Sequence, residues 1–336
     1  MPTIHDVARL AGVAPITVSR VINNSGYISQ DTRERVEAAI IELGYVPNII
    51  ARSLRSKRTN TLALVLTDIT NPFFTVIARG VEDIASDAGF TVIYCNTDES
   101  VDEEAKYLQL LLQKQVDGIL LVPARSTSRS IELIHEQGTP VVILDRRVSN
   151  VDVDIVRCDS VEGAYRLIKL LIDQGHRRIA VLSGPLGVST AEDRVVGYRT
   201  AMTEAGVSVD GLVFYGAYTQ ASGYEMAQQV LSQSPQPTAL FAANNFIAIG
   251  ALKALRDNGL KIPEDISIVS FDELPPMPIA EPFLTVAAQP AYEMGCKGTE
   301  LLLNRLKGEA PSECQEILLP IELIVRRSSG PVKGSG

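Results

Sequence analysis

The chain opens on apolar positions spaced three and four apart, Ile4, Val7, Ala8 and Ala11, the stripe of a short amphipathic helix. Thr3 with Asp6 three residues on has the form of a capping box, and Gly12 stops the helix. Pro15 suits a first helical turn. Val18, Val21 and Ile22 give a second helix its inward face, which leaves Ile16, Thr17, Ser19, Arg20 and Asn23 for other surroundings. A third helix is predicted from about Gln30 to Leu43, with Val36, Ala39, Ile40 and Leu43 inward and Gly44 at its C-terminal end. From Leu62 the period changes. Short apolar runs at Leu62 to Thr67, Thr91 to Cys95, Gly118 to Val122 and Val141 to Leu144 alternate with helical patterns. A second set follows at Ile179 to Leu182, Leu212 to Tyr215, Ala239 to Ala242 and Ile266 to Ser270. That alternation predicts βαβ units and parallel sheets, an α/β body behind an all-α head.

A domain takes about 100–200 residues, so 336 residues make one small unit plus a body of one or two lobes. No uninterrupted apolar run reaches the roughly 18 residues of a membrane span, and Met1-Pro2-Thr3 leads into polar helical sequence without an apolar h-region. A cytoplasmic protein with no membrane partner is expected. Cys95, Cys158, Cys296 and Cys314 are scattered without CxxC spacing, which favours free thiols over disulfides or a zinc site. The net charge of −9 argues against nucleic acid until it is divided along the chain. Residues 1 to 60 hold eight Lys/Arg against five Asp/Glu, a balance of +3, and the remainder 23 against 35, or −12. A basic head on an acidic body combines phosphate attraction with a body that repels DNA.

Three short helices with a tight turn between the first two fit a helix-turn-helix unit, whose second helix enters the major groove. The run D-V-A-x-x-A-G-V-x-x-x-T-V-S-R-V-I-N from Asp6 to Asn23 and T-R-E-R-V-x-x-A-I-x-E-L-G-Y-x-P-N from Thr32 to Asn48 resemble the DNA-binding head of LacI-family transcriptional regulators, and the resemblance continues through the body. One position departs from it. The family usually has Ser or Thr where Ala14 stands, and Ala14 cannot accept the capping hydrogen bond, so the recognition helix should start more weakly here.

Arg20 projects from the middle of that helix, and its fork matches guanine O6 and N7 in the major groove; a phosphate contact or a surface ion pair is the plainer role. Pro15 and Ile16 stand where the family reads bases and would favour thymine methyl groups. Thr17, Ser19 and Asn23 have the size to hold phosphates, and Thr3 joins this set; Ser19 could equally bond a carbonyl of its own helix. Asn48 to Ser56 is too short for an autonomous helix. The resemblance implies that two such hinge segments, one from each subunit of a homodimer, pair in the minor groove, with Asn48, Ala51, Leu54 and Arg55 at the DNA and Leu54 as a wedge. A symmetric dimer implies a pseudo-palindromic double-stranded operator.

The body resembles periplasmic binding proteins, with ligand between two lobes at the C-terminal ends of strands. Polar residues cluster there: Asn71-Pro72-Phe73-Phe74 after the first strand, Asp145-Arg146 after the fourth, then Arg194, Asn244, Asp272 and Gln289. Carboxylates and amides bond hydroxyls, Arg offers a forked donor set, and aromatic faces cover C–H surfaces. That is the chemistry of a monosaccharide site. The set Asn71, Phe73, Phe74, Asp145, Arg146, Arg194, Asn244, Asp272 and Gln289 also resembles the ligand set of ribose-binding proteins and ribose-type members of the family, which implies a sugar effector. Singly, each has a plainer role: Phe73 and Phe74 as core, Asp145 to Arg147 as an ion-pair run, Asn244 as a helix cap. Asn245 stands where the family usually has Asp.

Other functions are weighed on motifs. The chain lacks G-x-G-x-x-G, G-x-x-x-x-G-K-[ST], G-x-S-x-G and H-E-x-x-H, and its three histidines, His5, His135 and His176, form no evident triad or metal cluster. No enzyme activity, cofactor or metal is expected. Asp68-Ile69-Thr70 and Arg79 to Ala85 locally resemble carbon-catabolite regulators, which answer to a phosphoprotein partner, and purine-responsive members bind a nucleobase; both rank below a sugar. The expected domains are a helix-turn-helix head at 1–46, a hinge at 47–60, a ligand and dimerisation body at 61–330 and a tail at 331–336. Within the body, lobe 1 is expected at about 61–159 and 291–320, and lobe 2 at about 160–290 and 321–330. After Arg326 there is no heptad run of the kind that would make a tetramer.

Overall fold

The computed structural model describes residues 2–46, 58–127, 129–274 and 281–332. The hinge positions Asn48, Ala51, Leu54 and Arg55 lie outside the described residues. The chain forms two compact units, Met1–Thr59 and Asn60–Gly336.

In the first unit α1 (Ile4–Ala11), α2 (Pro15–Ile22) and α3 (Gln30–Leu43) pack around Val7, Ala8, Ala11, Val18, Val21, Val36 and Ala39. The Thr3–Asp6 capping box forms in both directions, and Ser29 caps α3. Helix α2 begins on Ala14 with no side-chain cap. A Ser or Thr there would be worth about 1 kcal/mol.

The second unit holds two six-stranded sheets. The first, all parallel, contains β1 (Thr61–Leu66), β2 (Thr91–Asn96), β3 (Gly118–Leu121), β4 (Val141–Leu144), β5 (Asp154–Cys158) and, from far along the chain, β11 (Glu316–Leu319), in the order β11-β5-β4-β3-β1-β2. Its faces are covered by α4 (Pro72–Asp87) and α11 (Ala291–Lys307) on one side and by α5 (Val101–Gln113) and α6 (Arg129–Glu136) on the other. Strand β1 shows why the run reads as continuous apolar sequence. Leu62, Leu64 and Leu66 point to α4 and α11, while Ala63 and Val65 point to α5 and α6, so both sides of the pleat are buried.

The second sheet contains β6 (Ile179–Ser183), β7 (Val213–Tyr215), β8 (Ala239–Ala242), β9 (Ser267–Phe271), β10 (Thr285–Ala288) and β12 (Glu322–Ile324), ordered β12-β10-β9-β8-β6-β7. Among the described residues only β12 runs antiparallel to its neighbour in this sheet. Helices α7 (Ser160–Asp173) and α8 (Ser189–Glu204) cover one face, α9 (Gln220–Leu231) and α10 (Asn245–Asp257) the other. Strands β5 and β10 have no long apolar run in the sequence: β5 carries Asp154 and Arg157, and β10 is only Thr-Val-Ala-Ala. Near its end the chain is still tied to this lobe, Val332 N donating to Gln174 O at 3.1 Å.

The chain passes between the lobes three times, after β5, after β10 and after β11, each time within two or three residues. Helix pairs within the lobes meet at glycines. A Cβ on Gly80 of α4 would stand 2.3 Å from Tyr292 O, and one on Gly295 of α11 would stand 2.2 Å from Ile77 O. The second lobe repeats the device with Gly223 of α9 and Gly250 of α10, at 2.3 Å and 2.0 Å from opposing carbonyls.

Candidate functional site

The strands of both sheets end at one cavity of about 420 Å³ between the lobes. It brings together all nine residues singled out in the body: Asn71, Phe73, Phe74, Asp145, Arg146, Arg194, Asn244, Asp272 and Gln289. Asp145 follows β4 and Asp272 follows β9, at φ +65° and +66°. Both aspartates sit in the left-handed region at equivalent strand ends, a conformation that costs a non-glycine residue energy and persists where surrounding structure holds it. Phe73 and Phe74 meet edge to face at 5.1 Å; both join the lobe core and both line the cavity. Asn244 caps α10, its Oδ1 accepting from Ile247 N at 2.8 Å.

Arg194 is buried near Asp145 and Asp272. Its guanidinium carbon lies 3.9 Å over the Phe271 ring and one NH group donates to Ala243 O at 2.6 Å. Burial pushes the Asp145 carboxyl up to about 6, against the pull of the Arg146 and Arg194 charges. Burial also raises Asp272, which Arg194 and a 2.6 Å hydrogen bond from Gln289 hold partly down. For Asp145 the folded chain therefore binds more protons than the unfolded chain between roughly pH 4 and 6, so this charge costs stability at neutral pH.

Several buried polar atoms at this place have no hydrogen-bond partner among the described residues: Asp145 Oδ1, Arg146 Nε, Arg194 Nε, Gln289 Oε1 and Thr67 Oγ1. Each such group costs about 1–3 kcal/mol when left unmet. They include both donors and acceptors, a set that a small molecule with several hydroxyls can satisfy.

The geometry also redistributes roles. Arg146 does not present a free fork to the cavity. One terminal nitrogen donates to Glu99 Oε2 and to Pro123 O, both at 2.8 Å, and the other donates to Glu99 Oε1. The side-chain amide of Asn71 is likewise engaged. It exchanges two hydrogen bonds with Asn245, 3.1 Å and 3.0 Å, across the lobes, and caps α4 through Phe73 N. Further clasps join the lobes opposite: Arg147 pairs with Asp193, Arg147 N donates to Ser189 Oγ at 2.8 Å, and Ser126 N donates to Gly187 O at 3.0 Å. Glu99, Arg125, Thr190 and Tyr218, which also line the cavity, were not singled out in the sequence. Tyr218 lies against Gly184, where a Cβ would be 2.2 Å from the ring, and its hydroxyl is 3.2 Å from Thr190 Oγ1. Glu99 and Tyr218 follow strands of parallel pairs, so a uniform search of strand ends finds them.

In the head, Ile16, Arg20 and Asn23 are exposed on α2, with Pro15, Thr17 and Ser19 half-buried beside them and Thr3 exposed. Asn23 Nδ2 donates to Ser19 O at 2.7 Å, so these two are partly committed to their own helix, and Thr3 is committed to its capping box. Among the described residues no group of three or more His, Cys, Asp or Glu is placed to hold a metal ion, all four cysteines are free, and no helix is long and apolar enough to cross a membrane.

A helix-turn-helix head together with a two-lobed, cleft-bearing body defines a DNA-binding transcriptional regulator with an effector domain. Comparison with known proteins agrees. Residues 3–48 match the model of bacterial regulatory proteins of the lacI family, and residues 59–326 match that of periplasmic binding proteins and the sugar binding domain of the LacI family. The chain belongs to the LacI family. It is 39% identical to the HTH-type transcriptional regulator DegA of Bacillus subtilis over 98% of both chains. It is 38% identical to a ribose operon repressor of Halalkalibacterium halodurans over 98% of this chain and 97% of the relative. The lac repressor dimer bound to operator and the anti-inducer ONPF superposes with a TM-score of 0.87 at 27% identity, over 98% of this chain and 99% of that one.

Proposed function

We propose that this regulator is a homodimeric repressor of a pseudo-palindromic operator, and that a small neutral sugar, ribose or a close relative, binds the interlobe cavity and switches operator affinity. The carrying observation is the set of buried, unpartnered polar atoms around Asp145, Arg146, Arg194 and Gln289, beside the faces of Phe73 and Phe74. A related repressor named for a ribose operon supports the choice of sugar. In this reading Asn71, Asn244 and Asp272 complete the sugar site. On the DNA side, Pro15, Ile16, Thr17, Ser19, Arg20 and Asn23 face the major groove with Thr3 nearby, and Asn48, Ala51, Leu54 and Arg55 the minor groove. The sugar acts only through its different affinities for the operator-bound and free arrangements.

The test is direct. A duplex selected from random sequence by the full chain is followed by fluorescence anisotropy, with and without D-ribose, D-xylose, D-glucose and D-galactose. One of these should shift operator affinity, and no shift with any of them would sink the sugar reading. Arg20→Ala should weaken binding of the selected duplex by about 1–3 kcal/mol and relax the sequence preference at one base pair in each half-site. Uniform weakening on every sequence would assign Arg20 to a phosphate instead.

A hydroxyl donating to Asp145 favours the charged carboxylate. Sugar affinity should therefore rise as pH is raised through about 6, with protons released on binding near that value. Calorimetry in buffers of different ionisation enthalpy reads both; a flat profile from pH 5 to 8 removes Asp145 from the contact set.

A further inference from the structure

The interlobe cavity carries three arginines, and one carboxylate stands against two of them. Its lining carries three guanidinium groups, Arg125, Arg146 and Arg194, against five carboxylates, Asp68, Asp98, Glu99, Asp145 and Asp272. Glu99 is the hub. It lies in the loop between β2 and α5, where Asp98 and Glu99 both take left-handed backbone, φ +50° and +58°, and Glu99 N is tied to Thr67 O at 3.1 Å. Two successive non-glycine residues in that conformation are costly and persist where surrounding structure holds them. Here the loop delivers one carboxylate to two arginines. Both oxygens of Glu99 take the fork of the fully buried Arg146, and Oε2 lies 3.9 Å from Arg125. Arg194 gives one NH group to Ala243 O and lies over the Phe271 face, beside Asp145 and Asp272.

A phosphate or carboxylate on a ligand needs an arginine fork or a net positive field, because it leaves water only when its charge is met. We propose that Glu99 sets the charge selectivity of the cleft: by occupying Arg146 and screening Arg125, it holds the site to neutral sugars and excludes their phosphates and uronates. Glu99 thereby acts as the internal anion of the site. The proposal rests on the sugar reading for the kind of molecule bound, while the charge rule stands on the arginine–glutamate geometry alone.

The test uses the full chain and calorimetry at constant ionic strength. The neutral ligands are D-ribose, D-xylose, D-glucose and D-galactose; the anionic ones are ribose 5-phosphate, glucose 6-phosphate, glucuronate and inorganic phosphate. The wild type should bind every anion at least a hundredfold more weakly than its best neutral sugar. Glu99→Gln keeps the size of the side chain and one acceptor for Arg146, and should raise affinity for ribose 5-phosphate at least tenfold relative to affinity for the best neutral sugar. Glu99→Ala, checked for folding by circular dichroism, should shift the same way and guards against a Gln variant that fails to fold. Absence of any neutral binder would overturn the sugar reading and leave the anion gain to judge Glu99. Wild-type binding of a sugar phosphate within tenfold of its neutral parent, or no anion gain in either variant, would overturn the selectivity proposal even if ribose binds.

Discussion

Replacing Arg194 with Ala should abolish the effector response while leaving operator binding in the absence of sugar intact. The guanidinium is buried, and one arm is anchored on Ala243 O and the Phe271 ring. Its Nε has no hydrogen-bond partner among the described residues. A hydrogen bond from a charged donor to a ligand hydroxyl is worth about 1.5–3 kcal/mol. Its removal also strips the positive charge that restrains Asp145 and Asp272, so both carboxyls move further up and present fewer charged acceptors. The two losses act on the same ligand, and affinity for the sugar should fall at least about a hundredfold, near 3 kcal/mol. Calorimetry with the best neutral sugar measures it, and anisotropy on the selected operator supplies the control. Wild-type sugar affinity would remove Arg194 from the site. Loss of operator binding together with sugar binding would mean that the variant has damaged the fold.

Gly80→Ala should destabilise the effector domain by about 2 kcal/mol, which is the opposite of what helix propensity alone demands. Gly80 lies inside α4, where exchange for Ala would by itself gain about 1 kcal/mol. The added methyl would stand 2.3 Å from the backbone carbonyl of Tyr292 and 3.1 Å from Cys296 N, atoms that cannot rotate away. Helix α4 must then back off from α11, loosening Ile77, Val81, Met294 and Leu302 in the core they share. Overpacking of this kind costs typically about 1–3 kcal/mol, and forced separation of two backbones belongs at the upper end. Thermal denaturation gives the sign directly, and a midpoint equal to or above wild type would show that the helices can part at no cost.

Much of this molecule is legible in its residues, and the limits have identifiable causes. Buried parallel strands announce themselves because both faces of the pleat are covered: β1 from Leu62 onward and all of β4 are unbroken apolar runs. Strand β5 does not, since it sets Asp154 and Arg157 among a half-buried Ile155 and the buried Val156 and Cys158. In the head, the Thr3 box, the bare Ala14 and the Gly44 stop were visible because capping is local chemistry. Asp145, Asn244, Asp272 and Gln289 stand where apolar strands end, a position legible in the sequence. What each does there was less accessible. Arg146 looked like a ligand fork, but its partner Glu99 is 47 positions earlier and reaches it through a loop whose left-handed backbone no pattern signals. The Asn71–Asn245 amide clasp spans 174 positions between uncharged residues, and no charge or period links them. Local periodicity reports burial; pairings made by tertiary closure leave no periodic trace.

The three passes between the lobes also govern how the protein can be made. Helix α11 supplies Met294, Leu301, Leu302 and Leu303 to the core beneath β1, β3 and β4, and β11 pairs with β5 across some 160 positions. While the chain is still emerging from the ribosome, residues 61–158 can form strands and helices but must wait with an apolar sheet face open until residues 291–319 arrive. At that stage the second lobe lacks its edge strand β12 and the Ser328–Gly330 segment that bonds to β9 and β10. Synthesis should thus pass through a species with a nearly finished second lobe and a half-covered first one. Nascent chains that stall just short of α11 should be the ones that aggregate or recruit chaperones, an exposure set by topology and independent of how stable the finished protein is.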